Sequence, residues 1–135
     1  MEKCMPLKAS MSILVVDSSP TMRQSVKKLL SNIGFKNVKE AVDGTKALEF
    51  INLSLEENTP VEFIICEYQL EKMNIIELTS KLRNSPAKAI KILLMTGDSD
   101  QQKMMQAIRA GVNNVIVKPF SADTLQDKIA KIFNQ

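Results

Sequence analysis

At 135 residues, 44% hydrophobic and 24% charged, the chain fits one globular domain with a proper core and has no apolar stretch near the roughly 20 residues of a membrane span. The absence of histidine removes His-based triads and phosphohistidine chemistry, while two separated cysteines, Cys4 and Cys66, offer neither a zinc cluster nor a disulfide framework. A net charge of +3 spread along the chain, one Tyr and five Phe argue against nucleic-acid binding.

Residues 1–10, Met1 to Ser10, lack the apolar core of a signal peptide and are read as a short tail on a cytoplasmic domain spanning 11–135. The run Ile13-Leu14-Val15-Val16 predicts a first strand. Ser19 then supplies an N-cap and Pro20 an N1 proline for a helix that buries Met22, Val26, Leu29, Leu30 and Ile33 and closes at Gly34. A weaker strand, Val38 to Ala41, leads through Asp43-Gly44 to a helix with Leu48, Ile51 and Leu55 inward; residues 53–60 read as helix end plus loop.

Val61 to Cys66 is apolar on both faces, as a central parallel strand should be. After the loop Tyr68 to Lys72 comes a helix carrying Ile75, Leu78 and Leu82. The fourth strand ends Ile92-Leu93-Leu94-Met95-Thr96, and Asp98 with Gln101 has capping-box spacing for the next helix. That helix should turn Met104 and Ile108 inward and stop at Gly111, with Met95, Met104 and Met105 serving as core filler. A last strand, Val115-Ile116-Val117, runs into Lys118-Pro119, and Ser121 caps a helix burying Leu125, Ile129 and Ile132. Alternating strands and helices predict an α/β, doubly wound, five-stranded parallel sheet. Only four glycines are present, and they form neither a dinucleotide fingerprint nor a phosphate-binding P-loop.

Four apolar runs each end in a polar residue: Asp17, Glu67, Thr96 and Lys118. On neighbouring parallel strands these side chains converge at the carboxyl edge of the sheet, where open α/β folds place their chemistry. Two acids, a hydroxyl and a lysine suit a phosphoryl group and a divalent cation.

With the Lys118-Pro119 step and the helix start after Asp17, this pattern resembles the receiver domain of response regulators over roughly residues 11–135, especially the stand-alone chemotaxis (CheY-like) type. The resemblance implies a (βα)5 flavodoxin-like fold with strand order 2-1-3-4-5 and a cis Lys118-Pro119 bond. Such receivers use an acidic pair after the first strand and an aspartate phosphoacceptor after the third. Here those positions read Asp17-Ser18 and Glu67, which marks a degenerate receiver, a pseudo-receiver without the acceptor aspartate. The Glu67 carboxylate reaches about 1.5 Å further than an aspartate's. Misplacement by about 1 Å can cost on the order of a hundredfold in rate.

The resemblance also assigns Thr96 and Lys118 to the phosphoryl pocket, with Glu67 expected to form an ion pair with Lys118. Any Mg²⁺ would rest on Asp17, Glu67 and the Gln69 carbonyl, weakly, because Ser18 replaces a carboxylate. An aromatic switch residue on the last strand falls at Val115, which cannot perform it. The family's partner face, helix 4–strand 5–helix 5, maps to residues 101–109, 113–115 and 123–131, where Lys103, Arg109, Lys128 and Lys131 are expected to be exposed and to suit an acidic partner. The leading expectation is a non-enzymatic, phosphorylation-independent interaction module in two-component or chemotaxis-type signalling. Its partners would be proteins, a histidine kinase or chemotaxis and motility proteins, with no nucleic acid and no membrane. The alternatives are a working Mg²⁺-dependent phosphoacceptor served by a histidine kinase, through Glu67 or Asp17, or a constitutively active regulator in which Glu67 imitates phosphoaspartate.

Overall fold

The computed structural model describes residues 9–70, 72–97 and 100–134, in which five strands alternate with five helices. They are β1 (Ile13–Val16), α1 (Pro20–Ile33), β2 (Val38–Ala41), α2 (Gly44–Glu56), β3 (Phe63–Glu67), α3 (Ile75–Arg83), β4 (Lys91–Thr96), α4 (Gln101–Ala110), β5 (Asn114–Val117) and α5 (Ala122–Phe133). All strand pairs are parallel and the order is β2-β1-β3-β4-β5. The doubly wound sheet is therefore as expected, and the Lys118–Pro119 peptide is cis.

The two-residue period of the strands explains why the central runs are apolar throughout: each strand feeds two cores. Leu14, Val16, Ile64, Cys66, Ile92 and Leu94 face α2, α3 and α4, where they meet Ile51, Ile75, Leu78, Leu82 and Ala107. Ile13, Val15, Phe63, Ile65, Leu93, Met95 and Ile116 face α1 and α5, where they meet Val26, Leu30, Leu125, Ile129 and Ile132. Phe133 closes this second layer edge-on to Phe63, ring centroids 5.3 Å apart. Ser19, Asp43, Asn74, Asp100 and Ser121 cap the five helices through side-chain oxygens. Among the described residues no helix is long and apolar enough to cross a membrane.

Three expectations are corrected. β3 begins at Phe63 rather than Val61, because the Val61 N–H donates to the buried Ser54 hydroxyl at 3.2 Å instead of to a neighbouring strand. The N-cap of α4 is Asp100, whose Oδ1 accepts from the N–H groups of Gln102 and Lys103; Asp98 lies outside the described residues. Helix α4 also stands in a different phase. Its one buried residue is Ala107, Met104 is half-buried, and Met105 and Ile108 are 53% and 47% exposed. A small residue sits at the closest approach to the body of the domain, which turns the larger i, i+3 pair outward. Met95 is core filler; Met105 is not.

Arg83 ties the far edge together. Its guanidinium donates to the carbonyls of Gly111, Lys88 and Ile90 and to Asn113 Oδ1, joining the end of α3, the loop before β4 and the start of β5. Desolvation by burial pulls its pKa below the ordinary arginine value. Gly111 has φ +119, and its missing Cβ leaves room for the Arg83 stem that lies against it. Replacing Arg83 by Met keeps the stem and orphans these acceptors; the expected loss is about 2 kcal/mol of unfolding free energy, read by urea denaturation. An unchanged midpoint would contradict this account of the edge.

Candidate functional site

The sheet register decides what meets at the carboxyl edge. Val16 lies level with Cys66, Glu67 with Met95, and Thr96 with Val117. Asp17 and Glu67 therefore end adjacent strands at one level, Thr96 lies one residue beyond them, and Lys118 one residue beyond Thr96. Together with Ser18, Tyr68, Gln69, Gly97 and Lys103 they line a cleft of about 380 Å³. An apolar cleft of about 420 Å³ between Leu55, Pro86 and Phe133 lies elsewhere and brings none of these groups together.

Asp17 is 3% exposed. Its Oδ1 accepts from the Ser19 N–H at 2.9 Å, which places the carboxylate at the mouth of α1. Its backbone carbonyl accepts from Arg23 Nη1 at 2.5 Å. Arg23 is oriented by Glu40, which takes its Nε at 2.7 Å and Lys27 Nζ at 3.0 Å. Hydrogen bonds from Arg23 and then Lys27 hold the Glu40 carboxyl below the usual glutamate range. This network spans α1 and β2 and was not legible in the sequence, because it depends on two elements meeting in space. Among the described residues Asp17 Oδ2 has no hydrogen-bond partner, and it forms an ion pair with Lys118 Nζ at 3.7 Å.

Glu67 is 9% exposed and both carboxylate oxygens are engaged. Oε1 accepts a short hydrogen bond from the Lys118 ammonium, and Oε2 accepts from the Gln69 N–H at 3.2 Å. Lys118 thus stands between two carboxylates, in hydrogen-bond contact with one. Its own N–H donates to the Thr96 carbonyl at 2.8 Å, and Thr96 is buried. Ser18 and Gln69 are exposed at the rim. The thiol of Cys66, one residue before Glu67, is pushed well above its ordinary pKa by burial and then by the charges of Glu67 and Asp17, which leaves it inert toward nucleophilic chemistry.

Two expected placements change. Lys103 is half-buried, lines the cleft and lies over the Tyr68 ring at 5.6 Å from its centroid, rather than standing exposed on the partner face. Lys128 is half-buried too, with Nζ 3.4 Å from Asn114 Oδ1, so Arg109 and Lys131 are the exposed cations of that group. Val115 is half-buried against the core shared with α2, α3 and α4. Among the described residues no group of three or more Asp, Glu, Cys or His could hold a metal ion.

The sequence pattern of the response regulator receiver domain matches residues 13–130. Chemotaxis protein CheY-3 of Vibrio cholerae is 36% identical over 130 residues, covering 96% of each chain. Chemotaxis protein CheY1 of Helicobacter pylori is 38% identical over 120 residues, covering 88% of this chain and 94% of its own. The crystal structure of the chemotaxis response regulator CheY4 of Vibrio cholerae superposes with a TM-score of 0.77 at 26% identity, covering 92% of this chain and 99% of the other.

Removing one member of a buried ion pair leaves the other charge uncompensated, at about 3–5 kcal/mol where burial is deep. The Lys118 side chain keeps 23% of its surface exposed, so the loss in Lys118→Ala is expected to be smaller, about 1–3 kcal/mol. Adding Glu67→Gln should recover part of that loss in thermal melts. A single variant as stable as the parent would mean that the carboxylate is simply solvated.

Proposed function

The chain belongs to the response regulator receiver family, as a CheY-like receiver of two-component signalling, and we propose that it works there without phosphorylation, as a protein-interaction module held in one conformation. The observation that carries this reading is the Glu67 carboxylate, which stands at the acceptor position with a hydrogen bond on each oxygen. An acceptor must present an oxygen lone pair to the incoming phosphorus in near-attack geometry. Here one oxygen takes the Lys118 ammonium and the other takes the Gln69 N–H. Lys118, which by family analogy would neutralise the phosphoryl oxygens, is already bound by the residue at the acceptor position. Val115 removes the aromatic readout on β5.

The donor set does not make a dedicated Mg²⁺ site. Mg²⁺ asks for near-octahedral oxygen ligands, commonly one or two carboxylates plus substrate oxygens. Each Glu67 oxygen and Asp17 Oδ1 already accept a hydrogen bond, and Ser18 supplies no charge. Asp17 Oδ2 has Lys118 at 3.7 Å, whose charge opposes any cation. Binding should be weak.

Output would then run through protein contact, in a chemotaxis-type pathway by analogy with the relatives. The family's partner face falls on α4, β5 and α5, where Met105 and Ile108 stand exposed with Arg109 and Lys131. A working phosphoacceptor is the second reading, favoured by the buried Asp17 Oδ2, which accepts no hydrogen bond among the described residues, beside intact Thr96 and Lys118. Phosphomimicry by Glu67 is weaker, since a carboxylate offers about −1 and two oxygens against about −2 and three for a phosphoryl group.

Incubation with acetyl phosphate and Mg²⁺ followed by intact-mass measurement separates the readings. No stable phosphoryl adduct is expected on the wild-type chain. Glu67→Asp should restore slow phosphorylation, and adding Ser18→Asp should raise both its rate and the Mg²⁺ affinity. A stoichiometric adduct on the wild-type chain would overturn the proposal, and equal behaviour of the two variants would refute the metal argument.

A further inference from the structure

The cleft wall is joined to the exposed face of α4 by one aromatic contact. Tyr68 follows Glu67 directly, and its backbone is held on both sides: its own N–H donates to the Met95 carbonyl at 2.9 Å, and the next N–H, of Gln69, donates to Glu67 Oε2. The half-buried ring packs against the core under α4, and the Lys103 ammonium lies over it at 5.6 Å from the centroid, within the range of a cation–π contact. Lys103 sits in the first turn of α4, beside its Asp100 cap and two residues before Met105. Since Ala107 is the only buried residue of α4, contacts at the helix margin have a large say in how the helix stands. Val115, level with Leu94 on β5, is aliphatic and cannot report on the cleft by changing an aromatic rotamer.

We propose that Tyr68 is a positioning residue which couples the Glu67 carboxylate to α4: Glu67 sets the Tyr68–Gln69 backbone, the ring receives Lys103, and the pair fixes the direction in which Met105 and Ile108 are presented to a partner. This rests on the reading of the α4 face as the interaction surface. A change in the charge or hydrogen bonding of Glu67 moves the ring, and the ring moves the first turn of the helix. The link runs through side chains of the turn after β3 and of α4, both lining the cleft, and not through β5.

The chain has one Tyr and no Trp, so its intrinsic emission reports on the surroundings of Tyr68. The test uses the full chain with Lys103→Met, Tyr68→Phe, Tyr68→Leu and Glu67→Gln, read by tyrosine emission and by ¹⁵N amide shifts over Gln101–Ala110. Lys103→Met should change the emission and shift the amides of the first two turns of α4. Tyr68→Phe, which keeps the ring face, should leave those amides near their wild-type positions, whereas Tyr68→Leu should shift them as Lys103→Met does. Glu67→Gln should shift the same amides in the parent, and about threefold less or smaller still in the Tyr68→Leu background, as expected for coupled sites. Equal shifts in both backgrounds would overturn the coupling, as would emission blind to Lys103→Met or α4 amides blind to Glu67→Gln. A phosphoryl adduct on the wild-type chain would sink phosphorylation independence instead and leave these amide results standing, so the two failures are distinguishable.

Discussion

The Glu67 carboxylate, shared between the Lys118 ammonium and the Gln69 N–H, is the constraint on which the carboxyl edge of this sheet depends. It spans three pieces of backbone: the end of β3 that carries it, the turn that follows, and the loop after β5 that supplies the lysine. The resulting arrangement is two carboxylates around one ammonium. Lys118 offsets one of the two negative charges and so weakens the pull of the cleft on a divalent cation.

The rest of the fold serves this edge by holding its parts at fixed heights. Parallel pairing puts Asp17 and Glu67 at one level, Thr96 one residue beyond it and Lys118 one residue further, and two apolar layers pin the register, because a shift by one residue would exchange the layers. Asp17 is further secured by the chain Glu40–Arg23–Asp17 carbonyl, which ties β2 and α1 to the end of β1. Arg83 does comparable work at the other end, where β4 and β5 begin. Helix α4, by contrast, buries a single residue, Ala107.

The sheet and the gathering of the four strand-end residues were legible in the sequence because each is written locally: a short apolar run, a polar residue at its end, a helix cap behind it. The caps Ser19 and Ser121 were readable for the same reason. The phase of α4 was not. Its inner stripe is made of a small residue, Ala107, so hydrophobicity pointed to Ile108 and Met105 where close packing chose the smaller side chain. The Lys103 and Arg83 contacts were equally silent, since a long cation in a helix pattern reads as solvated until the partner ring or carbonyls are seen opposite it. The Glu67–Lys118 contact lies between these cases: the two strand ends were predictable, while the second hydrogen bond, to Gln69, belongs to turn geometry that no pattern encodes.

Amide spectra recorded with and without beryllofluoride and Mg²⁺, which together imitate a phosphoryl group on a free acceptor carboxylate, test the saturated carboxylate most directly. If Glu67 is held by Lys118 and Gln69, the resonances of Tyr68, Gln69, Thr96 and Gln101–Ala110 stay where they are at concentrations that saturate an aspartate acceptor. Concerted shifts of those residues would show that the carboxylate is available, and the account of a receiver held in one state by its own glutamate would be contradicted.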